Sequence, residues 1–274
     1  YSEIMANVGD MRNTGIELSL NADAIRTKDF DWNISLNLAH TENEVTRLSN
    51  DVFTMDKILL GDVFIRGGSS SGTHVLEEGR PIGQFYGLVC NGIDENGRYI
   101  MVDKDGDGEI SDPADYDYIG SAQPKLTYGI TNTFRYKNVS LSVFLNAQLG
   151  QTANNWLYDV SHNSYRQNRL MVDFWTPENP TNKYPKNSLD TSVNPMSAGF
   201  YEKTDFLRVQ DVTLAYRVPQ RWLKKISLNR LEVYMNIKNL ATWTSWTGLD
   251  PEFISDQQST PQVRSFTFGL KLDL

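Results

Sequence analysis

The stretch MVDKDGDGEISD, Met101–Asp112, places Asp103, Asp105 and Asp107 at alternate positions, followed by Gly108 and Ile110. Carboxylates at that spacing, with a glycine where the chain must turn sharply, make up the first two-thirds of an EF-hand loop, which surrounds a calcium ion with oxygen ligands. The last position of such a loop calls for a bidentate Glu, and Ala114 stands there. Asp112, and Asp115 beyond the stiff Pro113, lie close enough in sequence to substitute. The candidate metal ligands are therefore Asp103, Asp105, Asp107 and Asp112, holding a structural Ca²⁺ that pins a loop. The alternative is an acidic turn that holds no ion. The flanking NGRYIMVDK and YDYIGSAQPKLTY read as strands and turns, so the loop has no helices to swing apart as a calcium sensor does.

Aromatic and amide side chains mark a second chemistry. Trp156, Tyr158, Tyr165, Phe174 and Trp175 lie near Asn154, Asn155 and Asn163. The apolar faces of sugar rings stack on aromatic side chains, while amides bind hydroxyls. Trp156, Tyr158, Tyr165 and Trp175 are the candidate substrate-binding residues. Tyrosines and tryptophans also populate the girdle of a membrane protein without touching a ligand, and that reading stays open for each of them. The neighbouring WTPENPTNKYP carries Pro177, Pro180 and Pro185, which forbid a central strand and favour a stiff external loop. Such a loop loses less entropy on meeting a ligand or partner, and it serves equally well as packing over a rim.

No catalytic constellation emerges. The histidines His40, His74 and His162 are scattered, and Cys90 in GLVCNGID has no local histidine partner. RGGSSSG, Arg66–Gly72, lacks the lysine of a phosphate-cradling loop, and the acidic pair Glu77/Glu78 is of a kind common on solvated loops. The chain is read as a non-enzyme.

The elements that position these residues are strands. In GIELSLNADAI, Ile16, Leu18, Leu20 and Ala22 alternate with Glu17, Ser19, Asn21 and Asp23. WNISLNLA, RLEVYMNIKNL and SFTFGLKLDL repeat the pattern, and KLTYGITNTFRYK and VSLSVFLNAQLG follow it more loosely. The 274 residues carry a net charge of -8, which speaks against a nucleic-acid partner, and the single cysteine excludes an internal disulfide framework. No apolar run is long enough for a transmembrane helix, which leaves membrane-spanning strands open. Alternating strands suit a soluble β-sandwich as well. Connection lengths separate the two: tight turns around Arg26–Asp29 and Lys137–Asn138, and a fairly short one from Pro219 to Ser227, alternate with the long spans 49–123, 151–204 and 242–261. Outer-membrane barrels alternate short periplasmic turns with long outer loops in this way, and sandwiches keep most loops short. The fold class expected is all-β, an antiparallel transmembrane β-barrel with long extracellular loops.

The blocks NVGDMRNTGIEL, WNISLNLAHTENEVTRL, GRPIGQFYGL, IGSAQPKLTYGITNTFRYKNVSLSVFLNAQLGQ, FWTPENPTNKYP, DFLRVQDVTLAYRVP and TGLDPE run through nearly the whole chain. In that order they resemble the C-terminal part of SusC/RagA-type TonB-dependent outer-membrane transporters of Bacteroidetes. The resemblance implies a plugged barrel of about 22 strands, roughly eight to ten of them here. The plug, the TonB-contacting segment and the N-terminal strands are expected to precede Tyr1. It further implies import of an oligosaccharide, or else a peptide, across the bacterial outer membrane, with TonB and a SusD-like surface lipoprotein as partners and membrane lipid around the wall. Glu17, Asn21, Asn37 and Lys238 would wet the pathway. No cofactor is required beyond the structural Ca²⁺. The alternative is a secreted, calcium-stabilised glycan-binding β-sandwich.

Overall fold

The computed structural model describes residues 9–49, 54–64, 70–110, 113–155, 173–186, 201–224, 228–252 and 260–273. The chain opens with two long strands, β1 (Asp10–Arg26) and β2 (Phe30–Arg47). The next span carries β3 (Lys57–Phe64), β4 (Ser70–Glu77), β5 (Gln84–Leu88), β6 (Cys90–Ile93), β7 (Tyr99–Met101) and β8 (Tyr116–Ser121). Then come β9 (Leu126–Tyr136), β10 (Val139–Leu149), the short β11 (Thr152–Asn154) and β12 (Tyr201–Lys203), and β13 (Phe206–Arg217). A single helical turn, α1 (Gln220–Leu223), precedes β14 (Arg230–Thr244) and β15 (Ser265–Asp273).

Among the described residues the main sheet has seven strands, in the order β1-β2-β9-β10-β13-β14-β15. Every neighbouring pair is antiparallel. Each strand pairs with the one that follows it once the excursions are set aside, so the topology is up-and-down, without the crossovers of a Greek-key sandwich. The short turns 27–29 and 137–138 and the 218–229 connection with α1 share one end. The long connections 48–125, 150–205 and 245–264 share the other. Backbone and side-chain bonds stitch the short-turn end together: Lys137 N donates to Asp29 O at 2.8 Å, and Asn138 Nδ2 donates to Arg217 O at 2.8 Å.

Register sorts the side chains by face, because residues directly opposite across a ladder point the same way. One face is an apolar band. Trp32, Phe134, Leu141, Leu214, Met235 and Phe268 form a row across six strands. Leu20, Leu36, Ile130 and Leu145 form another. The opposite face is polar, with Asn33, Thr133, Ser142, Thr213, Asn236 and Thr267 in one row. Gly269 faces Tyr234 there, and any Cβ on Gly269 would overlap the tyrosine ring.

Nothing described covers the apolar band. Leu214 lies on β13, flanked by strands on both sides, yet it is 42% exposed. Phe268 on β15 is 75% exposed. A water-soluble sandwich would bury these side chains against a second sheet.

A second sheet does exist, and it lies elsewhere. The span between β2 and β9 folds into a four-stranded sheet, β3-β4-β5-β8, with the β6–β7 hairpin beside it. Val75, Tyr86, Leu88 and Tyr116 form its own small core, with Met101 and Tyr118 packed against them. Backbone bonds join it to the top of β2, where Val45 N donates to Arg80 O at 2.8 Å and Gly79 N donates to Val45 O at 2.9 Å.

Candidate functional site

The functional features lie on the polar face and at the long-connection end. On the polar face stand the residues expected to wet a pathway. Ser19 Oγ donates to Asn37 Oδ1 at 2.9 Å, Asn21 stands opposite Ser35, and Lys238 stands opposite Asp211. Asp211 accepts from Asn236 Nδ2 at 2.8 Å and from Thr213 Oγ1 at 3.0 Å. Glu17 projects from β1, opposite Ala39. Nearer the short turns, Glu232 draws Arg230, Lys271 and Arg217 to 3.1, 3.4 and 3.5 Å, and Asp31 pairs with Arg135.

The acidic turn follows β7. Asp103 caps it, accepting from Gly106 N at 2.6 Å and Gly108 N at 2.9 Å. Asp107 accepts from Glu109 N at 2.7 Å. The ligand oxygens that come together belong to Asp103, Asp105 and Asp115, all within 4.8 Å of one another. Asp115 takes the place expected of Asp112, which lies outside the described residues, and Asp107 is not in the group. The reason is local: Tyr116 N donates to Pro113 O at 3.2 Å, a turn that brings Asp115 back under the loop, and Lys104 N donates to its carboxylate at 2.7 Å. Two oxygens each about 2.4 Å from one calcium ion stand at most about 4.8 Å apart, so the trio fits such an ion. Beside it, the Lys104 ammonium holds the Asp117 carboxyl below its ordinary range, with Nζ 2.7 Å from Oδ1.

Of the aromatic candidates, Trp156, Tyr158 and Tyr165 lie outside the described residues. Trp175 is buried, 8% exposed. Its indole packs over Gly97, where a Cβ would come within 2.5 Å of the ring. The proline-rich segment around it docks on the β6–β7 hairpin: Lys186 N donates to Gly97 O at 2.8 Å and Ile93 N donates to Asn182 Oδ1 at 2.8 Å. The Trp175 ring is committed to this packing, so no open stacking surface is left on it for a sugar.

The blocks DFLRVQDVTLAYRVP and TGLDPE stand apart in the sequence. In the fold they meet. Arg208 of β13, its side chain 2% exposed, places Nη2 2.7 Å from Asp250 Oδ1 and Nη1 2.6 Å from Glu252 Oε2. Its Nε donates to Thr242 Oγ1 at 3.1 Å. Gln262 N donates to Asp250 Oδ2 at 3.1 Å, so both arms of the 245–264 connection are gripped. The grip extends to β12 through Glu202, which accepts from Thr247 N at 3.0 Å and Thr247 Oγ1 at 2.8 Å. The signal was an arginine on the polar parity of a strand together with paired carboxylates in a proline turn.

No protein-family model matches the sequence. Over 99% of its length the chain is 28% identical to the TonB-dependent receptor P3 of Formosa agariphila, of which it covers 29%. It is 30% identical over its full length to the TonB-dependent receptor SusC of Bacteroides thetaiotaomicron, covering 27% of that protein. A solved structure of the RagAB peptide transporter superposes with a TM-score of 0.78 at 25% identity, over 97% of this chain and 30% of that one. The chain thus spans less than a third of the relatives it matches. The seven-stranded sheet, with its apolar and polar faces, is a section of β-barrel wall. Over nearly its whole length the chain is similar to one section of the SusC- and RagA-type TonB-dependent receptors.

Proposed function

We propose that this section forms part of the wall of an outer-membrane importer. The importer takes up a nutrient, an oligosaccharide or a peptide, with energy from TonB and with a SusD-like lipoprotein at its outer mouth. The observation that carries the reading is the uncovered apolar band: Leu214 is 42% exposed although strands flank it on both sides. In water such a surface is costly, at about 25 cal/mol per Å² of apolar area, and against acyl chains it is not. The short turns then face the periplasm and the long connections the outside. The polar face lines the lumen, where Glu17, Asn21, Asn37 and Lys238 wet the path. The relatives support import, one being SusC and another a complex described as a peptide transporter. A calcium ion held by Asp103, Asp105 and Asp115 would pin the outer turn.

The test is the full-length protein. It is expected to partition with detergent, to run as a heat-modifiable band, and to take labelled oligosaccharide or peptide into cells only while TonB is present. A protein that stays in the aqueous phase without detergent favours the secreted glycan-binding alternative. One that binds ligand at the surface equally well without TonB is a binding protein and no importer.

A further inference from the structure

The short-turn end of the apolar face carries aromatics with cations beside them. Tyr136, Val139, Tyr216, Val233 and Leu270 are cross-strand neighbours in one row, with Tyr136 56% and Tyr216 38% exposed. In the connection at the same end, α1 presents Trp222, 53% exposed. Lys137 Nζ lies 5.3 Å from the centre of the Tyr136 ring, and the Arg221 guanidinium carbon 5.7 Å from that of Trp222. Lys28 and Lys224 are exposed at the same end.

Of the carboxylates at this end, Asp23, Asp31 and Glu232 are occupied by other cations, and Asp29 and Asp273 make no ion pair among the described residues. Arg26 takes Asp23, Arg135 takes Asp31, and Glu232 holds Arg230, Lys271 and Arg217. Among the described residues, none lies within 4.0 Å of Lys28, Lys137, Arg221 or Lys224. The inward-facing pairs neutralise one another, and Lys28, Lys137, Arg221 and Lys224 set against Asp29 and Asp273 leave net positive charge at the rim. An aromatic ring on a lipid-facing surface settles at headgroup depth, and a cation lying against it reaches the phosphate layer. An anionic headgroup supplies the missing counter-charge. A zwitterionic one brings its own ammonium and supplies less.

We propose that this rim binds the phosphates of anionic phospholipids in the leaflet it meets, so that the protein retains anionic over zwitterionic lipid. The inference rests on the membrane reading above and adds a lipid class to it. Each cation near a charged lipid surface contributes about fivefold in affinity.

The experiment uses the full-length protein, extracted from bilayers that mix phosphatidylglycerol with phosphatidylcholine, and native mass spectrometry to count the lipids it keeps. Phosphatidylglycerol is expected to be enriched over its bulk share. Lys137→Gln, Arg221→Gln and Lys224→Gln together are expected to cut that enrichment by about fivefold or more. Lys137→Arg is expected to preserve it, as is Lys271→Gln on the polar face, and a heat-modifiable band shows that each variant has folded. Equal retention of both lipids, or enrichment that survives the triple substitution, overturns the proposal. A protein that never enters the bilayer is lost to the aqueous phase before any lipid is counted, and it overturns the membrane reading itself.

Discussion

On the apolar face, Trp32 Nε1 donates to Asn132 Oδ1 at 3.1 Å, between strands β2 and β9. Asn132 shares that face with Ile34 and Val143, directly opposite it on either side, and is the polar member of an otherwise apolar neighbourhood. In hydrocarbon an amide oxygen without a donor is costly, and the indole supplies one. Trp32→Phe is expected to cost about 1 kcal/mol by stranding that oxygen, while Asn132→Leu costs less or nothing. The double variant should show positive coupling when unfolding in detergent is followed by urea titration. Additive losses would mean the bond contributes nothing.

The two faces differ most sharply at adjacent residues in the middle of β9. Ile130 stands in the apolar row between Leu36 and Leu145, and Thr131 points the other way, opposite Ser35 and Phe144. Ile130→Arg places a guanidinium against acyl chains and is expected to cost roughly 2–4 kcal/mol. Thr131→Arg places it in a wet lumen at little cost. The assembled, heat-modifiable fraction of each variant in cells measures the difference. Equal loss from both would mean that neither face meets lipid.

Much of this wall was legible in the sequence because a period of two needs no long-range information. The turns at 137–138 and 27–29 were equally clear, bracketed by polar residues and followed by alternation. Register was not legible. Gln210 is an extra residue between Val209 and Asp211 against β10, whereas against β14 it faces two residues, Asn239 and Leu240, the former with a φ of 52°. The sheet in the span 49–123 was also hidden, since Gly61 interrupts the apolar run Ile58–Leu60 and the pairing of β5 with β8 joins distant segments. Asp115 was recognised only as a substitute ligand, because the turn that returns it under Asp103 depends on Pro113 and on the strand that follows.

That turn makes the calcium proposal specific. Asp115 is 1% exposed and shares the trio with Asp103 and Asp105, whereas Asp107 accepts only within its own turn, from Glu109 N. Calorimetry on the full-length protein is expected to give calcium binding on the order of 10⁻⁴–10⁻³ M, the range of extracellular modules. Asp105→Ala should abolish it and Asp107→Ala should weaken it only slightly. Absence of calcium heat from the unmodified protein would leave an acidic turn and nothing more.

Acidification should loosen the outer sheet through His74. Its imidazole lies 4.6 Å from the Phe85 ring, centre to centre, with Nδ1 2.8 Å from Thr73 Oγ1. Burial holds its pKa below the ordinary 6.5. The unfolded chain therefore takes up the proton first. Stability is complete above about 6.5 and is lost as pH falls from there through the lower folded value. Hydrogen exchange in β4 and β5 should quicken between neutral and mildly acid pH, and His74→Phe should flatten the response. An unchanged pH response in that variant would assign the loosening to other groups.

The Arg208 clamp sets how firmly the 245–264 connection is held over the wall. Its guanidinium is closed off from solvent and engages Asp250, Glu252 and Thr242 at once, a planar fork that an ammonium cannot reproduce. Removing it leaves Asp250, 5% exposed, without its countercharge, a loss of about 3–5 kcal/mol for a buried pair broken on one side. Arg208→Lys should recover only part of this, because one ammonium cannot span carboxylates gripped by different nitrogens. The loss should appear first as cleavage within 245–264 by external protease on intact cells, before the wall itself unfolds, since Val209↔Ala241 pairing and the strands beyond it do not depend on the clamp. Replacing Arg208, Asp250 and Glu252 together by Met, Asn and Gln should restore much of the stability, because no buried charge is then left alone. If the triple variant is as protease-sensitive as Arg208→Met alone, the cost lies in the lost shape of the clamp and not in stranded charge.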